Sequence, residues 1–275
     1  MAGTTQSGDS EIRYGNRMEG NVVAVTGAGS GNGRASAMRL GREGGSLFIS
    51  DISGERLEDT LSELAEAGIE AAGGVFDASN IADAPRFIDA TLERYGRLDV
   101  LVNNAGAVNP EPFPEVTEEN WDWTMALNLK GAFFVMQEAA KVMMRERSGS
   151  IVNIASVAGT WGGPTSSPPY AAAKAGLINL TTVAAASLAP YGVRVNAIAP
   201  GIIDTAFHAP VDLEIGQKLL GLAPGEHIQT RIEKIPLGRL GLPEDISAAV
   251  AFLASRDADH ISSQTIIVAG GMMSL

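Results

Sequence analysis

Apolar and polar positions fall into two alternating patterns along the chain. Short, nearly continuous apolar runs recur: NVVAVTG (21–27), SLFISD (46–51), AAGGVFD (71–77), DVLVNNAG (99–106), SIVNIAS (150–156), VRVNAIAPG (193–201) and QTIIVAGG (264–271). Strands covered on both faces read this way, whereas strands with one wet face alternate. Between the runs lie amphipathic stretches such as GERLEDTLSELAEAG (54–68) and APRFIDATLERYG (84–96), whose apolar residues return with helical spacing. This alternation predicts an α/β fold, a doubly wound parallel sheet of about seven strands with helices on both faces.

No proline-rich linker, repeat or low-complexity block divides residues 20–275, so one domain is expected over 19–275. Residues 1–18 are polar and read as a mobile extension. From Ile203 to Leu242 some forty residues carry no clear strand pattern. A connection of that length after a strand end predicts a partly helical lid, at about 204–233.

Composition narrows the function. The formal charge is −12, from 32 acids against 20 bases, which argues against nucleic acid and anionic membranes as partners. Cysteine is absent, which excludes disulfides and thiolate chemistry. His208, His227 and His260 lack metal-ligand spacing, so no metal site is expected. No run approaches 18 apolar residues and the start lacks a signal-peptide core, so no membrane helix is expected and a cytoplasmic location is.

The stretch TGAGSGNGRA (26–35) joins the first strand to a helical pattern, with Gly27, Gly31 and Gly33 spaced G-x-x-x-G-x-G. Such a turn aims backbone N–H groups and a helix N-terminus at one point, which favours a phosphate. Asp51 ends the second strand, 24 residues after Gly27. A carboxylate there accepts hydrogen bonds from adenosine ribose hydroxyls and repels a 2′-phosphate. Ser30, before Gly31, offers that phosphate no positive charge. Both choices point to NAD over NADP.

Tyr170 and Lys174 stand four apart in a helical segment opened by Pro168 and Pro169, so they share a face. An ammonium beside a phenol of ordinary pKa about 10 is expected to lower it, which lets Tyr170 exchange a proton with a substrate oxygen. Ser156, ending the fifth strand, is expected to hydrogen-bond the same oxygen.

TGAGSGNG, NNAG, LNLKG, NIAS, YAAAK and YGVRVNAIAPG, in this order over about residues 20–271, resemble the short-chain dehydrogenase/reductase family in its compact single-domain form. The resemblance implies a Rossmann-type sheet and reversible hydride transfer between a small-molecule secondary alcohol and a ketone, with a homotetramer or homodimer as the assembly. It implies that Lys174 also binds the nicotinamide ribose and that Asn128 supports a water-linked proton relay. Asn104, Ala105 and Gly106 are implied near the cofactor, Ile52 beside Asp51, and Asp77 and Ala78 at the adenine edge. Pro200, Gly201, Ile203 and Thr205 are implied around the nicotinamide carboxamide. Three departures stand out. Asn32 replaces an aliphatic residue of the family, Ala269 replaces the aspartate of a final VDGG, and SSPPY precedes the tyrosine.

The substrate has no motif of its own. Trp161 is a candidate aromatic wall or a core or interface residue, Phe207 and His208 begin the lid, and no arginine cluster marks a phosphate or carboxylate substrate, though Arg231 and Lys234 are candidates to bind one. A moderately apolar alcohol or ketone is the preferred reading. Two alternatives stand beside it. One is a 3-oxoacyl carrier-protein reductase-like enzyme, a type that usually prefers NADPH. The other is a catalytically silent dinucleotide sensor or scaffold, against which the intact set Asn128, Ser156, Tyr170 and Lys174 speaks.

Overall fold

The seven apolar runs become seven strands in a computed structural model that describes residues 15–161 and 167–272. They are β1 (Val22–Thr26), β2 (Ser46–Asp51), β3 (Ala71–Val75), β4 (Val100–Asn103), β5 (Gly149–Ile154), β6 (Val193–Pro200) and β7 (Thr265–Val268). All pair in parallel, in the order β3-β2-β1-β4-β5-β6-β7. The helices are α1 (Gly31–Arg42), α2 (Gly54–Glu66), α3 (Asp83–Tyr95), α4 (Glu118–Met125), α5 (Ala132–Glu146), α6 (Ala158–Trp161), α7 (Pro168–Leu188), α8 (Ala209–Val211), α9 (Glu226–Ile232) and α10 (Pro243–Ala254).

Both faces of the sheet are covered, which is why the strands lack polar alternation. Val23 and Val25 of β1 join Leu40 of α1, Leu57 and Leu64 of α2 and Val250 of α10 in one apolar layer. Ala24, between them, points the other way, into a layer with Phe87 of α3, Met143 of α5 and Leu188 of α7. The chain leaves β1 toward β2 and β3, then returns to lay β4 on the opposite side of β1. Loops after β1 and β4 therefore diverge and open a crevice at the carboxyl ends of the strands.

One expectation is corrected and two gain detail. The polar extension was expected to run to residue 18; residues 1–14 lie outside the described residues, but its last part is anchored. Met18 is fully buried, and Arg17 donates through Nε and Nη2, both at 2.7 Å, to the buried Glu43 carboxylate, which Arg39 also engages. Second, the segment Pro168–Tyr191 is long enough, at mean hydropathy 1.3, to cross a bilayer. In the fold α7 buries one face, with Ala173, Lys174, Leu177, Thr181 and Ala185 inside. Third, the strandless stretch from Ile203 to Leu242 is tied at its ends by a parallel bridge between Ile203 and Gly241. Between these ends lie α8, a π-turn at Asp212–Leu219 and α9.

Candidate active site

The glycine turn is shaped by crowding as much as by ligand approach. Gly27 and Gly31 have φ of 63° and 50°, left-handed values that side chains resist. Gly33 faces inward, where a Cβ would collide with the Gly27 carbonyl and the Asn104 amide. That amide donates to the carbonyls of Thr26 (2.9 Å) and Gly27 (3.0 Å). The Thr26 hydroxyl in turn accepts from the backbone N–H of Asn104 (2.9 Å) and of Ala105 (3.0 Å). The NNAG segment thus clamps the loop. Its first asparagine, Asn103, braces the sheet instead, donating to Ala132 O at 2.7 Å and to Asn153 Oδ1 at 3.1 Å.

A cleft of about 640 Å³ runs along the strand ends. It is lined by Gly27, Ser30, Gly31, Asn32, Asp51, Ile52, Asp77, Ala78, Asn104, Ala105, Gly106, Ser156, Tyr170, Lys174, Pro200, Gly201, Ile203 and Thr205. Of the residues expected at the site, only Gly33 and Asn128 stand behind this wall. The cleft fits a dinucleotide on its own terms. Helix α1 has no acidic residue in its first turn, so its N-terminus is free to face an anion. Asn32 Oδ1 is buried in the lining without a partner, an acceptor a ligand donor can satisfy.

At the far end of the loop Asp51 is 6% exposed and heavily engaged. Oδ2 accepts from Gly29 N at 3.0 Å, and Oδ1 from Ser53 N at 2.9 Å and from Arg56 Nη2 at 2.8 Å. Arg56, half exposed and lining the same cleft, was not anticipated. Its only signal in the sequence is a basic residue in the first turn of α2, five positions after the acid.

The chemical end gathers four groups. Tyr170 and Ser156 share a hydrogen bond, and Ala158 N donates to Ser156 Oγ at 3.1 Å, which orients the hydroxyl. Lys174 is nearly fully buried. Its Nζ donates to Ile154 O at 2.9 Å and lies 5.6 Å from the Tyr170 ring centroid. Asn128 sits inside a π-turn, Ala126–Gly131, between α4 and α5. Its Nδ2 donates to Ala107 O (2.9 Å) and Thr124 O (3.1 Å), leaving Oδ1 buried and unpartnered. A Cβ on Gly106 would meet that Oδ1 at 2.7 Å and Lys174 Nζ at 3.2 Å, so the two polar atoms flank one small space.

One electrostatic expectation is reversed. Lys174 was expected to lower the Tyr170 pKa, but burial pushes the phenol up to about 12, opposed by the Ser156 hydrogen bond. Burial also pushes Lys174 down to about 8, which weakens the ammonium's leverage.

The lid residues close this end. Phe207 packs against Tyr170 with ring centroids 5.6 Å apart, and His208 follows edge-on to Phe207, also at 5.6 Å. Arg231 of α9 lines the cleft, whereas Lys234 is exposed outside it. Trp123 of α4 also lines the cleft and was missed. The SSPPY departure (166–170) begins at Ser166, which lies outside the described residues.

A family model described as enoyl-(acyl carrier protein) reductase matches residues 27–273. The 3-oxoacyl-acyl-carrier-protein reductase FabG of Thermotoga maritima is 37% identical over 257 residues, covering 94% of this chain and 99% of that protein. Galactitol 2-dehydrogenase of Agrobacterium fabrum is 37% identical over 256 residues, covering 93% and 98%. Among solved structures, a variant of actinorhodin polyketide ketoreductase with NADPH superposes with a TM-score of 0.89 at 34% identity, over 96% of this chain and all of that one. The relatives' substrates differ while the likeness runs almost end to end, and what they hold in common identifies the chain as a member of the short-chain dehydrogenase/reductase family, oxidoreductases that work with a nicotinamide dinucleotide.

Proposed function

We propose that this protein interconverts a secondary alcohol and a ketone, uses NAD(H), and relies on Tyr170 as general acid and base. The observation that carries the reading is the convergence of Tyr170, Ser156 and Lys174 at one end of a cleft whose other end is the glycine turn. When bound, the nicotinamide supplies or accepts the hydride. The chain's own residues handle the proton. Tyr170, with its pKa pushed up to about 12, remains a neutral phenol at physiological pH and can hand its proton to a carbonyl oxygen. Ser156 is within hydrogen-bond reach of the tyrosine and can donate to the same oxygen, where charge develops. Lys174, with a pKa near 8, can return a proton to Tyr170 through the small space it shares with Asn128 Oδ1. Asn128 positions whatever donor fills that space, since its Oδ1 has no partner among the described residues.

The choice of NAD rests on Asp51, whose carboxylate retains an acceptor site for a ribose hydroxyl and repels a 2′-phosphate. A second reading, a 3-oxoacyl thioester reductase working with NADPH, draws support from the likeness to FabG and from Arg56, a cation beside the same ribose end. The two differ in one measurement, the rate of acetoacetyl thioester reduction with each dinucleotide. The central assignment is tested by Tyr170→Phe, which keeps the ring and removes the proton. Turnover across an alcohol and ketone panel should fall by about 10²–10⁴-fold while NADH binding, read by nucleotide fluorescence, persists. Near-normal turnover removes Tyr170 from the chemistry.

A further inference from the structure

We propose that the substrate carries an anionic oxygen group, a carboxylate or a phosphate ester, and that Arg231 binds it. The inference rests on the alcohol–ketone reading above and narrows it. It replaces the apolar substrate preferred from the sequence.

Arg231 lines the cleft from α9, on the side where Phe207 and His208 follow Tyr170. Its guanidinium has no hydrogen-bond or ion-pair partner among the described residues. That is unusual in a chain with 32 acids to 20 bases. Elsewhere in the fold arginines meet carboxylates: Arg17 with Glu43, Arg34 with Glu63, Arg56 with Asp51, Arg86 with Asp83 and Arg239 with Asp245. Withdrawing a cation from water without a counterion is costly. Burial accordingly pulls Arg231 below its usual pKa, with no acid to offset it.

None of the titratable groups around it pairs with it. His208 is held neutral, its pKa pushed down to about 4 by burial and by Arg231 itself, and its Nδ1 is buried without a partner. His227 is likewise pushed down, by burial first and then by Arg231, and its Nδ1 is also unpartnered. Asp212, outside the cleft lining, accepts through Oδ2 from Gln217 Nε2 at 3.0 Å and Gly225 N at 3.1 Å; its Oδ1 is buried without a partner among the described residues, and its charge acts on His227. Asp204 is exposed, outside the cleft lining, and acts on His208. A ligand anion would therefore complete the site. The planar guanidinium fork donates two parallel hydrogen bonds to a carboxylate or phosphate. Phe207 and His208 follow Tyr170 along the lid side of the cleft, so with the reacting oxygen at Tyr170 the anion falls at the lid end of the substrate.

The test uses the full chain loaded with cofactor and two matched pairs, levulinate with methyl levulinate, and dihydroxyacetone phosphate with dihydroxyacetone. Calorimetric titration reads binding and cofactor oxidation reads turnover, for the wild type, Arg231→Gln and Arg231→Lys. The expected result is that the charged member of at least one pair binds tighter by about tenfold to a hundredfold, the range of a charge-assisted contact. Which pair responds tells carboxylate from phosphate. Arg231→Gln should abolish the difference and Arg231→Lys should keep part of it. Equal binding of charged and neutral members in the wild type overturns the proposal, and so does a difference that survives in Arg231→Gln. Weaker dinucleotide binding in both variants would place Arg231 on the cofactor and also overturn it. Absence of turnover with every compound, in the presence of Arg231-dependent anion binding, would count against the alcohol–ketone reading and leave the anion site standing.

Discussion

Replacing Asp51 by asparagine keeps the side chain's shape and removes its charge, which separates the two ways this residue can act on the dinucleotide. Asp51 is almost fully enclosed, at 6% exposure, so its contact to a ribose hydroxyl is a charge-assisted bond of about 1.5–3 kcal/mol. The same charge opposes a 2′-phosphate, but Arg56 Nη2 lies 2.8 Å from Oδ1 and offsets part of that repulsion. Because Arg56 is half exposed, its offset is on the scale of a solvated ion pair, about 0.2–1 kcal/mol. The balance leaves roughly 0.5–2.8 kcal/mol in favour of NADH, about twofold to a hundredfold in kcat/KM. Asp51→Asn should bring the two cofactors to within about threefold of each other, since the charge carries most of that difference. Arg56→Ala should move the other way, penalising NADPH by a further factor of about two to five. Adding Ile52→Arg to Asp51→Ala, with Ile52 exposed on the cleft wall, should narrow or reverse the preference. The assay is kcat/KM with NADH and NADPH at one fixed ionic strength, with dissociation constants from nucleotide fluorescence alongside. A wild type that prefers NADPH refutes the argument from Asp51. An Arg56→Ala enzyme that uses NADPH better than the wild type refutes the role given to the arginine.

Lys174, at about 8 in the fold against 10.5 unperturbed, binds fewer protons folded than unfolded between those values, so stability should rise with pH across that window, by about 3 kcal/mol at most. Urea midpoints of wild type and Lys174→Met from pH 7.5 to 9.5 check this, and a pH-independent difference between the two would contradict it. In the lid, residues 204–233 should exchange amide hydrogens faster without ligand than in the complex with dinucleotide and substrate; equal protection in both states would rule out a closing segment.

The strands were legible because each is buried on two faces, and a buried parallel strand leaves a compact apolar run such as VVAVT or SLFISD. The glycine turn and the Tyr170–Lys174 pair were legible because their spacing is local. What escaped depends on distant burial. Arg56 is an ordinary helix-start cation until the fold lays it on Asp51. Tyr170 and Lys174 look like a simple charge pair, but burial moves both pKa values against that picture. Met18 sits in a polar stretch and gives no sign of reaching the core. Arg231 and Lys234 look alike in sequence, three residues apart, and only the packing of α9 separates the one that lines the cleft from the one in solvent.

The six-residue π-turn that carries Asn128 makes chain length a chemical variable. A π-turn holds one residue more than the α-helix around it can absorb. Deleting a single residue between Ala126 and Gly131 would let α4 and α5 merge into one regular helix. Each residue of an α-helix turns it by about 100°. Asn128 would then swing away from Gly106, or else Val135, Met136 and Met143 would rotate off the sheet they cover. The two demands cannot be met together without the extra residue, so a one-codon deletion here should cost either the polar space beside Lys174 or the core, however conservative the flanking residues. Engineering that samples only substitutions in this helix leaves that constraint unexplored.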